Sequence, residues 1–310
     1  MPKQEKLPKL IVIVGPTASG KTNLGIHIAQ KFNGEVVSAD SRQIYREFNI
    51  GTAKPEGHWM RLGGRSVYSV QGIPHYLVDE LDPKEDFTLR DFKDRAVAAI
   101  KDVLERGKLP ILLGGTALYV YAVTDNLHIP EVRANRALRS RLEGKSPAIL
   151  YAELKKRDPQ AAELTGLNKR RIIRALEVIE ATGHKFSTQR TKGPRLFNTL
   201  KLGPAVTKPE LKNRIETRTQ AMVKAGLLKE VKGLAKRYPW ELPPMQSVDY
   251  QEFKEYLAGE AELEPTLAIV NKHHQELGRR QMLWFKKDKE VQWVKSPQEA
   301  EKLVEQFLKN

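Results

Sequence analysis

A glycine-rich pattern near the N-terminus constrains this chain more than any other feature. Residues Gly15–Thr22 read GPTASGKT and match G-x-x-x-x-G-K-[ST], between the apolar run Leu10–Val14 and a helix-like segment at Asn23–Phe32. In that context the loop N–H groups surround an anion, the lysine adds positive charge and the last hydroxyl can hold Mg²⁺. The pattern predicts a site for linked phosphates, with Thr22 as the metal ligand. Its predicted members are Gly15, Pro16, Thr17, Ala18, Ser19, Gly20, Lys21 and Thr22.

Strand and helix signals alternate at both ends of the chain but not in its middle. Apolar strands are predicted at Leu10–Val14, Glu35–Ser38 and Leu109–Leu113, and a helix over Leu89–Arg106 ends at Gly107. These signals predict an α/β fold, a P-loop NTPase-like parallel sheet flanked by helices, over residues 1–129 and 194–310. Residues 130–193 show helical signals only and predict an inserted all-helical subdomain. Later predicted elements are a strand at Thr199–Val206, a helix at Thr266–Lys287, a strand at Val291–Val294 and a helix at Pro297–Leu308.

Composition excludes several kinds of protein. The chain has no cysteine, which excludes disulfides, thiolate nucleophiles and cysteine-bound zinc. Its seven histidines lack metal-ligand spacing, and His273-His274 is interpreted as a pair on a helix surface. No apolar run approaches the roughly 20 residues of a membrane span, and Met1–Lys9 is too short and charged for a signal peptide. A cytoplasmic protein without a membrane partner is expected.

The charge balance indicates a polyanionic partner. The 310-residue chain has 53 Lys and Arg against 38 Asp and Glu, for a formal charge of +15. A charge of this size attracts nucleic acid through counterion release and steering. The positions of the arginines must decide whether the charge serves binding or solubility.

The acidic residues at strand ends bear on the reaction. A motor or switch that hydrolyses ATP should have a second buried strand ending in an Asp that holds Mg²⁺, but Leu109–Leu113 is followed by Gly114-Gly115-Thr116. The acid that does follow a strand is Asp40, at the carboxyl edge of the sheet, where ligands bind. Asp40 lies beside the phosphate loop if the second strand neighbours the first. A catalytic role and a role as cap of the next segment both remain open.

One arginine falls within an apolar helical stripe. Leu211, Ile215, Arg218 and Met222 follow i, i+4, i+7 and i+11 spacing. Because an unpaired buried guanidinium costs several kcal/mol, Arg218 is predicted to face bound phosphates or a carboxylate, with a structural salt bridge as the alternative. Arg280 is predicted to repeat this arrangement on a helix whose stripe is Ile269, His273, Leu277 and Trp284.

The inserted segment has a basic helix start. Asn168 is predicted to cap a helix that Gly183 ends, with Lys169, Arg170, Arg171 and Arg174 in its first turns. Cations there oppose the helix dipole, which favours a bound backbone phosphate over solvated charge. The apolar face is Ile172, Ile173, Leu176 and Ile179, and the basic surface extends to Arg133, Arg136, Arg139 and Arg141.

Long blocks of the chain resemble the tRNA dimethylallyltransferase family, also called tRNA isopentenyltransferases, in its bacterial form. The resemblance covers nearly the whole chain, and its most specific block is Ser38–Pro55, which phosphate-loop kinases do not share. The blocks are GPTASGKT, SADSRQIYREFNIGTAKP at Ser38–Pro55, IPHYLVDELDP at Ile73–Pro83, LPILLGGTALYV at Leu109–Val120, RRIIRALEVIEATG at Arg170–Gly183 and RRQMLWFKKD at Arg279–Asp288.

The resemblance implies a reaction and a set of roles. The loop would hold the diphosphate of dimethylallyl diphosphate with Mg²⁺, and the prenyl group would pass to N6 of the adenosine immediately 3′ of the tRNA anticodon, extruded from its stack. Asp40 would be the general base, Arg218 and Lys21 would stabilise the diphosphate, and Thr116 would contact the target nucleotide. The enzyme is expected to act as a monomer. The implied tRNA contacts are Asp40, Ser41, Arg42, Gln43, Thr116, Arg139, Arg170, Arg171, Arg174, Gln246, Tyr250, Gln251, Arg279, Arg280, Gln281, Trp284 and Lys286.

The chain departs from the family pattern at three places. Ala117 replaces a usual glycine, Thr165–Asn168 replaces His-Pro-Asn-Asp, and Asp249 stands where a Gly-Tyr pair usually begins. These departures affect local tRNA contacts and leave the diphosphate site intact. The alternatives are a small-molecule kinase using ATP, an adenylate isopentenyltransferase and a non-catalytic RNA-binding protein.

Overall fold

The computed structural model describes residues 6–189 and 191–310, so the first five residues of Met1–Lys9 lie outside the described residues. The chain divides into two compact units. We call Met1–Thr124 together with Leu196–Asn310 the core unit, and Asp125–Arg195 the inserted unit. The predicted α/β fold class, with a largely parallel sheet flanked by helices, is confirmed.

The core unit is built on one sheet, in which the described residues form eight strands in the order β3-β4-β5-β2-β6-β1-β7-β8. All pairings from β5 to β8 along this order are parallel, whereas β4 pairs antiparallel with β3 and β5 at one edge. The strands are β1 (Lys9–Val14), β2 (Gly34–Ser38), β3 (His58–Leu62), β4 (Arg65–Val70), β5 (Ile73–Tyr76), β6 (Leu109–Gly114), β7 (Asn198–Pro204) and β8 (Val291–Val294).

The described part of the chain also contains twelve α-helices and a short 3₁₀ helix at Ser187–Gln189. Helices α4 to α7 belong to the inserted unit and the others to the core unit. The helices are α1 (Lys21–Lys31), α2 (Leu89–Glu105), α3 (Ala117–Thr124), α4 (Arg136–Glu143), α5 (Pro147–Arg157), α6 (Pro159–Thr165), α7 (Lys169–Thr182), α8 (Lys208–Lys224), α9 (Leu227–Ala235), α10 (Phe253–Ala258), α11 (Leu263–Phe285) and α12 (Pro297–Lys309).

Helices cover both faces of the sheet, which explains why β1 is apolar throughout. Side chains alternate between the two faces of a strand, so a strand buried on both sides reads as a continuous apolar run. Leu10 and Val12 pack into a cluster with residues of α2, α3 and α11. Ile11 and Ile13 pack on the opposite face against α1 and α12. The phosphate loop lies between β1 and α1, at the carboxyl end of the central strands.

The strand order corrects one expectation. Strand β6 lies between β2 and β1 and pairs in parallel with both, so the second strand does not neighbour the first. The hairpin formed by β3 and β4, and strand β5, were not predicted. Gly63 and Gly64 turn the hairpin, but its strands lack a clean apolar alternation because β3 is exposed along much of its length.

The inserted unit has its own apolar core, formed by residues of α4 to α7 that include Leu142, Leu154 and Ile172. The predicted caps of α7 are confirmed. The Asn168 side chain accepts a hydrogen bond from the N–H of Arg171 at 3.1 Å, and Gly183 ends the helix with a left-handed φ of 70°.

Candidate active site

The phosphate loop leaves several polar groups without protein partners. Gly20 caps α1 in a left-handed conformation and provides no side-chain acceptor for the first-turn N–H groups. The Ser19 hydroxyl is buried without a hydrogen-bond partner among the described residues. Lys21 Nζ donates to the carbonyl of Pro16 at 3.3 Å. Polar groups gathered at the N-terminus of a helix in this way suit an anion.

Burial and two neighbouring charges act on the pKa of Lys21. Burial lowers the pKa of Lys21 to about 8, Asp40 raises it, and the positive charge of Arg218 lowers it further. Lys21, Asp40 and Arg218 are therefore electrostatically coupled, although they come from three separate elements of the core unit.

Helix α8 directs two arginines at this loop. Arg218 Nη1 donates to Thr17 Oγ1 at 2.6 Å, so its side chain faces the loop, and its predicted contact with bound phosphates stays a prediction. Burial lowers the pKa of Arg218, while Asp249 and then Asp40 raise it. Arg214, one turn earlier on α8, donates through Nη1 to the Ser19 carbonyl at 3.1 Å. The sequence prediction missed Arg214, although its i, i+4 relation to Arg218 was an available signal.

Asp40 lies at the end of β2 and caps the following turn. Its Oδ1 accepts hydrogen bonds from the N–H groups of Arg42 at 2.9 Å and Gln43 at 3.3 Å. The cap role is therefore confirmed for Oδ1, and Oδ2 takes no part in these two bonds. Although β6 separates β2 from β1, Asp40 still influences Lys21 and Arg218 electrostatically.

The Gly114-Gly115-Thr116 segment after β6 packs directly against the Asp40 segment. A Cβ at Gly114 would lie 2.2 Å from the Ala39 carbonyl oxygen, so only glycine fits there. Thr116 N–H donates to the same carbonyl at 3.3 Å, and Thr116 Oγ1 accepts from Ser41 N–H at 3.2 Å. Thr116 is therefore held beside the residues that follow Asp40.

Gln281 connects the phosphate loop to this glycine segment. Its Oε1 accepts from Thr17 N–H at 2.9 Å and its Nε2 donates to the Gly115 carbonyl at 3.0 Å. A Cβ at Gly115 would lie 2.5 Å from Gln281 Nε2. Both ends of the Gln281 amide therefore bind groups of the core unit. The resemblance had implied that Gln281 contacts tRNA.

The predicted stripe of α11 is wrong. Ile269 and Trp284 are each 46% exposed, and the Arg280 side chain is 59% exposed with Glu276 as an ionic neighbour at 4.0 Å. Arg280 therefore does not repeat the arrangement of Arg218. His274 is not a surface residue either. Because this helix carries apolar residues on more than one face, the periodicity of the sequence did not identify which face is buried. The buried residues are Thr266, Leu267, Val270, His274, Gly278 and Phe285.

The structure contradicts the predicted direct tRNA contact of Tyr250. Its side chain has no exposed surface, packs edge-on against Phe48 at 5.0 Å and donates to Glu230 Oε1 at 2.7 Å. The resemblance implied a tRNA contact for Tyr250, but this residue belongs to the core. Gln246 is half-buried, whereas Gln251, Arg279 and Lys286 are exposed, and their predicted tRNA contacts stay predictions.

Near Asp40, two other predicted contact residues bind backbone carbonyls. Arg42 Nη1 donates to Pro243 O at 2.9 Å, and Gln43 Nε2 donates to the carbonyls of Thr52 at 3.1 Å and Ala53 at 3.0 Å. These side-chain bonds hold the loop that follows β2 without using the Asp40 carboxylate.

In the inserted unit, two predicted phosphate ligands already have a protein partner. Glu177 is 1% exposed; Arg139 binds it through Nε and Nη2, both at 2.9 Å, and Arg174 through Nη1 at 2.5 Å. Burial disfavours ionisation of Glu177, but hydrogen bonds from these arginines and from Asn135 N–H hold its pKa below its usual value. The charges of Arg139 and Arg174 therefore need no bound phosphate. Arg170 and Arg171 are exposed on the same helix, while Ile172 and Ile173 are core residues.

A cavity of about 1260 Å³ adjoins Arg218. Its apolar lining includes Ile50, Trp59 and Met222, and polar groups such as Lys54 and Asp79 line it as well. Within the described residues, no group of three or more His, Cys, Asp and Glu side chains is arranged to hold a metal. None of the helices in the described part of the chain is long and apolar enough to cross a membrane.

Comparisons with known proteins agree on one family. The family model described as IPP transferase matches residues 43–288, and that described as isopentenyl transferase matches residues 8–72. The chain is 44% identical to a tRNA dimethylallyltransferase of Roseiflexus castenholzii over 284 residues, covering 90% of each. It is 40% identical to that of Microcystis aeruginosa over 300 residues, covering 96% of this chain and 91% of the relative.

Solved structures give the same result. The tRNA isopentenylpyrophosphate transferase of Bacillus halodurans is 36% identical, with a TM-score of 0.66, over 92% of this chain and 89% of that one. A eukaryotic dimethylallyltransferase acting on tRNA is 30% identical, with a TM-score of 0.73, over 89% of this chain and 69% of that one.

Proposed function

This chain belongs to the IPP transferase family and is an enzyme of tRNA modification that transfers a prenyl group, and we propose which residues carry out its reaction. The donor is dimethylallyl diphosphate, bound by its diphosphate in the phosphate loop. The acceptor is N6 of the adenosine immediately 3′ of the tRNA anticodon. Asp40 is the general base, and diphosphate is released.

The observation that carries this proposal is the convergence of charges at the loop. Arg218 reaches the Thr17 hydroxyl at 2.6 Å, Arg214 reaches the Ser19 carbonyl, and both Lys21 and Arg218 are influenced by the single carboxylate of Asp40. Arg214 is also paired with Glu210 at 2.6 Å, so Lys21 and Arg218 are the cations that fit a diphosphate, with Asp40 as the base beside them. Negative charge builds on the leaving diphosphate, and preorganised donors stabilise that charge in the transition state.

The donor set fits a magnesium ion. Mg²⁺ prefers oxygen ligands, retains several waters and usually binds through one or two protein groups plus substrate phosphates. Thr22, whose hydroxyl lies in the first turn of α1, would hold it. When bound, the ion would neutralise charge on the diphosphate. A cage of several acidic side chains is not required for this role.

The transfer forms one bond and breaks another. The adenine N6 attacks C1 of the dimethylallyl group as the C1–O bond to the diphosphate breaks, and the electron pair leaves with the diphosphate. The amine nitrogen becomes acidic as it is alkylated, and Asp40 Oδ2 takes its proton, because Oδ1 accepts hydrogen bonds from Arg42 and Gln43. General-base catalysis of this kind contributes about 10²–10⁴-fold to a rate.

We assign the prenyl group to the cavity that adjoins Arg218. The cavity next to Arg218 has apolar walls at Ile50 and Met222 that suit the prenyl group. The target adenine must leave its stack to reach Asp40, and Thr116, held beside Ser41, contacts that nucleotide. The exposed cations Arg171 of the inserted unit and Arg279 and Lys286 of the core unit bind phosphates of the tRNA.

The other candidate functions are not favoured. A small-molecule kinase is inconsistent with membership of the IPP transferase family across residues 43–288. An adenylate isopentenyltransferase would act on a free nucleotide and would not need the basic inserted unit. A non-catalytic RNA-binding protein would not need the coupled charges of Lys21, Asp40 and Arg218.

The experiment compares the wild-type chain with Asp40→Asn, using labelled dimethylallyl diphosphate, labelled ATP and an anticodon stem-loop RNA. The wild type should prenylate the RNA and leave the γ-phosphate of ATP intact. Asp40→Asn should bind RNA and inorganic diphosphate normally but lose about 10²–10⁴-fold in kcat, the range expected for a general base. Transfer at the wild-type rate in this variant would refute the role of Asp40, and phosphoryl transfer from ATP would restore the kinase.

A further inference from the structure

The proposed mechanism does not use the Glu230 carboxylate, which holds a loop that lines the cavity next to Arg218. Glu230 lies in the first turn of α9. Its Oε2 accepts hydrogen bonds from the N–H groups of Asn49 at 3.3 Å and Ile50 at 2.9 Å, and its Oε1 accepts from Gly51 N–H at 3.1 Å. Three successive backbone donors therefore bind one carboxylate, and hydrogen bonds to an ionised acceptor are stronger than those between neutral groups.

Tyr250 binds the same carboxylate from the protein interior. Its hydroxyl donates to Glu230 Oε1 at 2.7 Å. Burial, and then the negative charge of Glu230, raise the pKa of Tyr250 well above its usual value, so the phenol keeps its proton and remains a donor. A Cβ at Gly51 would lie 2.6 Å from the ring of Tyr250. The ring therefore packs this closely against the loop because residue 51 is glycine.

The loop and helix α8 both line the cavity. Asn49 and Ile50 contribute from the loop, and Met222 contributes from α8. Helix α9, which carries Glu230, begins directly after the Ala225-Gly226 turn that ends α8. The hydrogen bonds of Glu230 therefore connect the loop to the segment that follows α8. Because Ile50 is only half-buried, its position depends on how its backbone is held.

Resting on the proposed function, we propose that Glu230 and Tyr250 are positioning residues for the prenyl group of the donor. They hold Ile50 at a distance from Met222 that lets both side chains contact the five-carbon group. Tyr250 acts through Glu230, and Glu230 acts through the backbone of Ile50, so neither touches the donor. A cavity wall that is fixed before the donor arrives loses less freedom on binding. Its contribution concerns the hydrocarbon part of the donor and not the diphosphate.

The test compares the binding of dimethylallyl diphosphate with that of inorganic diphosphate, measured by calorimetry without RNA so that no transfer occurs. Glu230→Gln places an amide NH₂ group against backbone N–H donors. It should raise the Kd of dimethylallyl diphosphate about tenfold, which corresponds to the loss of roughly two methylene contacts. The Kd of inorganic diphosphate should stay within about twofold. Tyr250→Phe removes a single hydrogen bond and should raise the first Kd about threefold.

Glu177→Gln is the matched control. It changes a carboxylate that likewise accepts a backbone N–H, from Asn135 at 2.7 Å, but it lies in the inserted unit and does not line the cavity. Both Kd values should stay within about twofold in this variant.

A double-mutant cycle distinguishes positioning from a merely structural role. Ile50→Ala removes the wall itself and should raise the Kd of dimethylallyl diphosphate about tenfold. In that background Glu230→Gln should add less than about twofold, because the carboxylate acts through Ile50.

Three results would overturn the inference: an equal loss of affinity for both ligands in Glu230→Gln, no loss for either, or the full tenfold loss in the Ile50→Ala background. Should Glu230→Gln fail to fold, Tyr250→Phe alone and combined with Ile50→Ala decides the matter by the same criteria. A wild-type protein that does not bind dimethylallyl diphosphate, or binds it without transferring the prenyl group to RNA, would instead refute the proposed function.

Discussion

Two arginines of the inserted unit and one arginine of the core unit have different kinds of partner. In the inserted unit, Arg139 and Arg174 share the buried carboxylate of Glu177. In the core unit, Arg218 donates to the uncharged hydroxyl of Thr17, and no carboxylate of the described residues forms an ion pair with it. Since burying a charge is costly unless it is paired, a matched arginine indicates a structural role. An arginine that is buried next to the phosphate loop without a carboxylate partner fits the proposed diphosphate site.

The largest expected effect tests this contrast directly with one arginine from each unit. Arg218→Ala should raise the Kd of inorganic diphosphate about 100-fold, because it removes a charged donor from a low-dielectric site, and leave tRNA affinity nearly intact. Arg139→Ala should leave diphosphate binding unchanged. Titration calorimetry with each variant provides the measurement. An equal loss of tRNA and diphosphate affinity in Arg218→Ala would show that this arginine does not face the loop alone.

The next largest effect tests the pairing of Glu177 with two arginines in the inserted unit. Glu177→Gln should destabilise the inserted unit by about 2 kcal/mol, less than the full cost of breaking a buried pair because both arginines are partly exposed. Hydrogen exchange of α4 and α7 should accelerate, while exchange in β1 and β6 of the core unit should not change. Unaltered protection in α7 would show that the Glu177 network contributes little.

The pH dependence tests the cation inside the loop. Burial lowers the pKa of Lys21 to about 8, so the amine is charged below that pH and neutral above it. The kcat/KM for the donor, which reports the free enzyme, should therefore fall up to about tenfold per pH unit above pH 8. Lys21→Arg should remove this fall, because a guanidinium stays charged. A profile that is flat to pH 10 in the wild type would contradict the assignment.

The smallest effect concerns the exposed face of α7. Arg171→Ala should reduce the slope of log Kd for tRNA against log salt by about one unit, as expected for the loss of one phosphate contact. Arg174→Ala is the matched variant on the same helix. It should leave the slope unchanged and instead loosen the inserted unit, because its guanidinium is bound to Glu177. Equal slopes for wild type and Arg171→Ala would identify Arg171 as a solubilising charge.

Much of the site was predictable because its residues are adjacent in the chain or periodic. The phosphate loop, Asp40 after its strand and Arg218 in the stripe of α8 were found from local patterns. Arg280 was misplaced because α11 has apolar residues on several faces, and Tyr250 was assigned to a tRNA contact although Phe48 and Glu230 enclose it. Neither neighbour is close to it in sequence.

The sequence by itself determined the α/β fold class, the anion-binding loop and the family, because these depend on local spacing and on long matching blocks. Only the tertiary structure decided which charges are matched. It placed β6 between β1 and β2, directed Arg214 and Gln281 to the loop, paired Arg139 and Arg174 with Glu177 and buried Asp249 against His274. The energy of a charge depends on its burial and on the charges around it, and these neighbours come together only when distant segments pack.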